Sequence, residues 1–225
     1  MKKCYSIPLV IITIVVFGFL FSCSTEDNRD LPQEVKNMLT PDQQQSLEEK
    51  GMTVNEGVNP PNIVGVYYNN TNYCTYDSTG WYTNTYFDEY YWRFYDQSGN
   101  QIKLDYTAET EPDTATGVGA FITGDGELFS VFLKVSGSSY GVSYTAVTVV
   151  SGRKIAGGIQ DFMDGFIMTS KNTAADPDDE ILAPVNTIRI FVESDGIAET
   201  SSWPAALSTQ SDSQFSIKRI FAGSQ

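Results

Sequence analysis

The sequence contains no histidine among its 225 residues. That absence excludes Ser/His/Asp and Cys/His catalysis, an imidazole general base and the usual zinc sites. Cysteine is nearly as scarce, at three: Cys4, Cys23 and Cys74. Basic residues are outnumbered, with 14 Lys and Arg against 28 Asp and Glu, a net charge of −14. A surface of that sign repels phosphate backbones, so nucleic acid is not an expected partner, and it is repelled by anionic lipid headgroups as well. No internal repeat of fixed period is present, which argues against propellers and solenoids.

The chain has one long apolar run, Ile7 to Phe21, preceded by Lys2 and Lys3 and followed by Ser22 and Cys23. Its 15 residues fall short of the roughly 20 needed to span a bilayer. A short basic start, an apolar stretch and a small residue before the cut are the parts of a secretory signal peptide. The segment Leu20, Phe21, Ser22, Cys23 reads as a lipobox-like cleavage site; the competing reading is an uncleaved anchor. The reading adopted is a signal peptide over 1–22. By resemblance to bacterial lipoproteins, Cys23 becomes the acylated first residue of the mature chain. Several acyl chains, at about 0.8 kcal/mol per buried methylene, make such an anchor effectively permanent. Ser24, Thr25, Glu26 and Asp27 lack the aspartate immediately after the cysteine that holds many lipoproteins in the inner membrane. The early acidic pair resembles the surface-export signal of Bacteroidetes lipoproteins, so the expected address is the outer membrane, facing the cell exterior.

Removing 22 of 225 residues leaves 203, enough for one domain with a sizeable core. Lys2 and Lys3 leave with the signal peptide, so the mature chain sets 12 basic residues against 28 acidic ones, a net charge of −16. Cys4 leaves too, and with Cys23 acylated Cys74 has no intrachain partner. A lone cysteine without an identifiable base reads as a small buried hydrophobe rather than a nucleophile.

Residues 23–37 read as the acylated cysteine and a flexible tether, and 38–225 as a single domain. Thr40 as N-cap, Pro41 at the first helical position, Gln43 completing a capping box and Gly51 just past the end predict a short helix from Pro41 to Lys50. Its only internal apolar residue is Leu47, which places it on the outside of the domain. Pro60 and Pro61 then force an extended approach to the first strand.

From Ile63 onward the pattern is β. Phe129, Val131, Leu133 and Val135 alternate with polar or smaller residues, as do Ile102, Leu104 and Tyr106, and Tyr140, Val142, Tyr144 and Ala146. Turn signals stand at 96–100, 124–126, 137–139, 151–152 and 195–196. Strands are expected over 62–68, 84–95, 101–108, 117–123, 127–136, 140–150, 158–170 and 185–193, with a further one at 214–221. Short turns between half-buried strands point to an all-β fold, an antiparallel up-and-down β-barrel of about eight strands preceded by one short helix. Closure of that kind removes exposed edges; a two-sheet β-sandwich is the alternative.

The segments LTPDQQQSLEEKGM, NEGVNPPNIVGVY, SGRKIAGGIQDFMDGFIM and RIFVESDG resemble an uncharacterised family of Bacteroidetes lipoproteins with a lipocalin-like or calycin-like β-barrel. Gly65, Val66 and Tyr67 are similar to the Gly-x-Trp start of lipocalins, with Tyr67 in the tryptophan's place. The resemblance covers most of residues 38–196 and implies a fold and an envelope address, with no activity attached.

Three features bear on function. Between Tyr67 and Tyr95 thirteen aromatic residues crowd together, and Tyr and Trp suit stacking on sugars or lining a pocket for an amphipathic ligand. The segment Asn69 to Asn84 reads as a long loop at a barrel mouth, which makes Tyr73, Tyr76, Trp81 and Tyr82 the candidate ligand-binding residues. The second is the acidic loop Asp176, Asp178, Asp179 and Glu180. It lacks the Asp-x-Asp-x-Asp-Gly frame of a calcium site and reads as a solvated turn, so no metal and no cofactor is expected. The third is the pairing of Asp88 with Glu89, or of Asp161 with Asp164, the chemistry glycoside hydrolysis would need. The reading adopted is a non-catalytic binding module for a glycan or small apolar ligand. The alternative is an interaction subunit docking on another outer-membrane protein.

Overall fold

The computed structural model describes residues 31–204. The expected signal peptide over 1–22, Cys23, the start of the expected tether and the expected strand at 214–221 lie outside the described residues.

Two short helices come first, α1 (Gln33–Met38) and α2 (Pro41–Glu49). The capping box forms as its residue types dictate, Gln43 N–H donating to the Thr40 hydroxyl and the Thr40 N–H to the Gln43 side chain. The helix α1 falls where a flexible tether was expected. Leu31, Val35 and Leu39 are buried, so by residue 31 the chain is already packed onto the domain.

The strands are β1 (Val58–Asn59), β2 (Gly65–Asn69), β3 (Asn72–Asp77), β4 (Thr85–Tyr86), β5 (Tyr90–Ser98) and β6 (Gln101–Ala108). They continue as β7 (Asp113–Asp125), β8 (Leu128–Ser139), β9 (Val142–Ile155), β10 (Gly158–Lys171), β11 (Ile188–Glu193) and β12 (Ile197–Thr200). Apart from a parallel contact of β1 with β7, all pairings are antiparallel. Strand β10 is long enough to pair with β11 along one half and β12 along the other. Because β12 also pairs with β2, the order β12-β2-β5-β6-β7-β8-β9-β10 closes into a ring of eight strands. Strands β3 and β4 extend from β11 at one end of that ring.

Several strand ends differ from the sequence-based expectation, for reasons of packing. Gly137 and Gly152 are not turn residues but lie inside β8 and β9. A Cβ on Gly137 would stand 2.5 Å from the Tyr144 ring, and one on Gly152 2.4 Å from Ile159, so each glycine admits a neighbour across the sheet. The actual β8–β9 turn is Tyr140–Gly141, both at positive φ, as a tight hairpin demands. The expected strand 84–95 is broken between β4 and β5. The expected mouth loop 69–84 contains β3, whose Asn72, Cys74 and Asp77 are buried against β11.

Two apolar clusters hold the fold. Inside the ring, Tyr67, Phe94, Leu104, Ile122, Phe129, Val131, Leu133, Val150 and Phe162 fill the end that carries the turns near residues 100, 127 and 157. Outside it, Leu31, Val35, Leu39, Leu47 and Met52 pack on Phe132, Val147, Val149, Ile167 and Ile190. The helices thus cover one outer face, and Leu47 does lie outside the ring. Burial at about 25 cal/mol per Å² makes this second cluster a real contributor to stability.

Candidate functional site

The interior packing changes towards the other end of the ring, where Ala146 and Thr148 replace larger side chains and leave a cavity of about 50 Å³. Its walls are aromatic: Phe87, Tyr90, Trp92, Tyr106, Tyr144, Phe166 and Phe191. Period-two alternation puts them there, since Trp92 pairs across the sheet with Tyr106, and Phe191 with Asp164. The rings meet edge-on or tilted, Trp92 to Tyr106 at 4.9 Å and Tyr90 to Tyr106 at 5.8 Å between centroids.

Two carboxylates share this space. Asp113 accepts hydrogen bonds from the hydroxyls of Tyr90 at 2.8 Å and Tyr144 at 2.9 Å. Tyr106 stands 2.6 Å from Tyr144, and because the Tyr144 proton is committed to Asp113, Tyr106 is the donor in that contact. Burial pushes the Asp113 carboxyl up to about 6, against the pull of its two phenol donors. Asp164 is buried more starkly: its Oδ1 has no hydrogen-bond partner among the described residues, and burial pushes its carboxyl up to about 8. The indole Nε1 of Trp92 is a second buried polar atom in the lining without a partner among the described residues.

No Lys or Arg among the described residues lines the cavity. Arg189 is fully buried on β11 with its guanidinium engaged by Asp77 at 3.2 Å, and stacked by Tyr82 and Phe87 with ring centroids at 4.7 and 5.6 Å.

The candidate residues named from the sequence do not converge on the cavity. Trp81 is 59% exposed and touches Tyr82 edge-on. Tyr82 packs on Arg189 and Phe87, Tyr73 pairs with Tyr86, and Tyr76 faces the outer cluster beneath Lys50. Asp113 was not singled out from sequence, and Asp164 was considered only as one of a catalytic pair. Asp161 is exposed while Asp164 is interior, so these two do not face each other across a cleft. Asp88 accepts from Thr110 and from the Glu111 backbone, while Glu89 and Glu109 both meet the single Tyr68 hydroxyl on the outside. The one sequence signal for the interior acids was their place in alternation with apolar residues, Asp113 with Ala115 and Asp164 with Phe166 and Met168.

The acidic loop has a structural account. Asp176 accepts from the backbone N–H groups of Glu180, Ile181 and Leu182 and pairs with the buried Lys171 at 2.5 Å. Burial alone would raise its carboxyl; the Lys171 ammonium and the backbone donors outweigh that and hold it below the ordinary value. The fold it imposes seats Leu182 and Ala183 in the interior cluster. Cys74 is fully buried, its Sγ donates to the Tyr76 carbonyl, and burial pushes the thiol up to about 12.

Comparison of the chain with protein-family models, with curated proteins and with solved structures finds no match.

Proposed function

We propose that this chain is an outer-membrane lipoprotein, anchored through Cys23 and facing the cell exterior, that works as a non-catalytic binding module. In this reading the ring of eight strands is an up-and-down β-barrel of the lipocalin or calycin kind, as the resemblance to Bacteroidetes lipoproteins implies. One end is filled by side chains and the other holds the ligand. The observation that carries it is the aromatic-walled cavity with buried polar atoms that lack partners among the described residues. A filled core of eight strands would satisfy or exclude such atoms, because each costs about 1–3 kcal/mol when left unpaired. The cavity is the size of a small ligand or a ligand's head group rather than of a sugar ring, which favours the small-ligand form over the glycan form.

The test is a ligand screen by ¹⁵N chemical-shift perturbation on the mature chain carrying Cys23→Ser. Binding predicts shifts centred on Tyr106, Tyr144 and Asp164; shifts confined to Trp81 and Tyr82 would return the site to the loop. Proteolysis of intact cells checks the address, with protection of the protein arguing against outward display.

A second reading, docking on another outer-membrane protein, has its own observation. Across five adjacent strand pairs the outer face aligns Arg93, Asp105, Thr116, Ser136, Thr145 and Ser170, and this polar row lies in a groove of about 940 Å³ with Trp203 at its margin. Loss of partner capture from the outer membrane on Ser136→Arg, with small-ligand binding intact, would favour that reading.

A further inference from the structure

The binding-module reading leaves the chemistry of the ligand open, and the cavity's own groups narrow it. We infer that the interior cavity is a site for a small organic cation, the ammonium head of a primary amine, taken between Asp164, Asp113 and the surrounding aromatic rings. The inference rests on the binding-module reading and goes beyond it by naming the ligand class.

Four observations converge. Asp164 is more than nine-tenths buried, lines the cavity, and presents an oxygen with no hydrogen-bond partner among the described residues. A buried carboxylate lacking a partner is costly, and a cation supplies the charge and the donors that it lacks. Asp113 lines the same space and brings a second carboxyl. The walls are the faces and edges of Tyr90, Trp92, Tyr106 and Phe166, and aromatic faces attract ammonium groups, by about 2 kcal/mol or more once desolvated. No basic side chain among the described residues lines the cavity, and the buried Arg189 is held by Asp77, Tyr82 and Phe87.

The volume sets the size. At about 10–15 Å³ of such space per water, a cavity of about 50 Å³ holds about three to five non-hydrogen atoms. Ethylammonium and n-propylammonium fall in that range, as does the head of a longer amine, and methylammonium is smaller than the space. A neutral alcohol of equal size would satisfy Asp164 only as an acceptor or donor, without its charge. The negative charge of the whole chain adds a long-range attraction for cations.

Binding of a cation is linked to the protonation of Asp164. The ionisable groups that face the cavity or adjoin Asp164 are Asp113 on β7, Tyr90 on β5, Tyr106 on β6, Tyr144 on β9 and Cys74 on β3. Arg189 and Asp77 lie further along β11 and β3. The phenols and the thiol are all held protonated by burial, so of these cavity groups the two aspartates alone change charge between pH 5 and 9. A cation that requires Asp164 ionised must therefore bind more tightly as pH rises towards 9.

The experiment is titration calorimetry of the mature Cys23→Ser chain with methylammonium, ethylammonium and n-propylammonium chlorides, against n-propanol, at fixed ionic strength. The expected result is saturable amine binding, at least tenfold tighter than n-propanol, that strengthens at least fivefold from pH 6 to pH 8.5. Asp164→Asn, folded by its thermal melt, should weaken it at least tenfold. Should that variant fail to fold, the pH series on the parent chain decides alone. Equal affinity for amine and alcohol would overturn the cation assignment while leaving the binding cavity in place. Absence of any binding would overturn both and leave a cavity that holds only water. Amine binding that ignores both pH and Asp164→Asn would place the cation elsewhere and also defeat the inference.

Discussion

Tyr144 donates a 2.9 Å hydrogen bond to Asp113 although the two stand on strands that do not pair with each other. Strand β8 lies between them, and Tyr144 reaches across it at Gly137, the residue with no side chain to block the way. Gly137 is thus what permits the interior hydrogen-bond chain Tyr106, Tyr144, Asp113.

Gly137→Ala should break that chain. The added Cβ would lie 2.5 Å from the Tyr144 ring, inside any contact distance, so the ring must shift off Asp113. Overpacking of this kind costs about 1–3 kcal/mol. Urea denaturation measures the loss. Tyr144→Phe supplies the comparison: it removes the hydroxyl without the clash, and its cost should fall near about 1–3 kcal/mol for leaving buried partners short.

Stability should fall as pH rises from about 4 to about 8. The sign follows from the raised carboxyls of Asp113 at about 6, Glu193 at about 7 and Asp164 at about 8. Each holds its proton more tightly folded than unfolded, so each stabilises fully below the ordinary carboxylate range and loses that contribution as pH passes its folded value. Asp164 alone contributes a slope of about 1.4 kcal/mol per pH unit within its window. Asp164→Asn should flatten the decline and leave the variant more stable than the parent above pH 8. Urea midpoints at pH 5 and pH 8.5 check both points; a parallel decline in the two proteins would remove Asp164 as its source.

Asp77→Asn should destabilise by about 3–5 kcal/mol, because it strips the counter-charge from a guanidinium with no exposed surface. Joint replacement of Arg189 and Asp77 by Met and Leu should cost less than the single change. Double-mutant denaturation resolves the two, and additivity of the single effects would contradict the pairing.

Trp81→Ala should change stability by less than about 0.5 kcal/mol and leave cavity binding unaltered, since the side chain is exposed and outside the lining. Trp92→Ala should cost about 3–5 kcal/mol and abolish the cavity's ligand response. Thermal melts with the calorimetric titration separate these outcomes.

Much of the architecture could be read from short windows. The Thr40–Gln43 cap is local chemistry, and it starts α2 where the residues predict. The alternation in 127–136 and 101–108 put Phe129, Val131, Leu133, Ile102 and Leu104 inside the ring, as the structure has them. Less legible was β3. Its Asn72 and Asp77 look like loop residues, and they are buried only because β11 arrives more than a hundred residues later with Arg189. In the same way Gly137 and Gly152 carry a turn signal locally and a packing role in the fold.

What the sequence by itself determined is the absence of imidazole chemistry, the acidic composition, the apolar run Ile7 to Phe21 behind two lysines and a β-rich chain with period-two alternation, because these depend on composition and near neighbours. Only the tertiary structure decided which acids face inward. Asp113 and Asp164 share their alternation with apolar residues, but an exposed face and an interior face have the same period. Ring closure by β12, and the register that follows from it, turned one of those faces into the wall of a cavity.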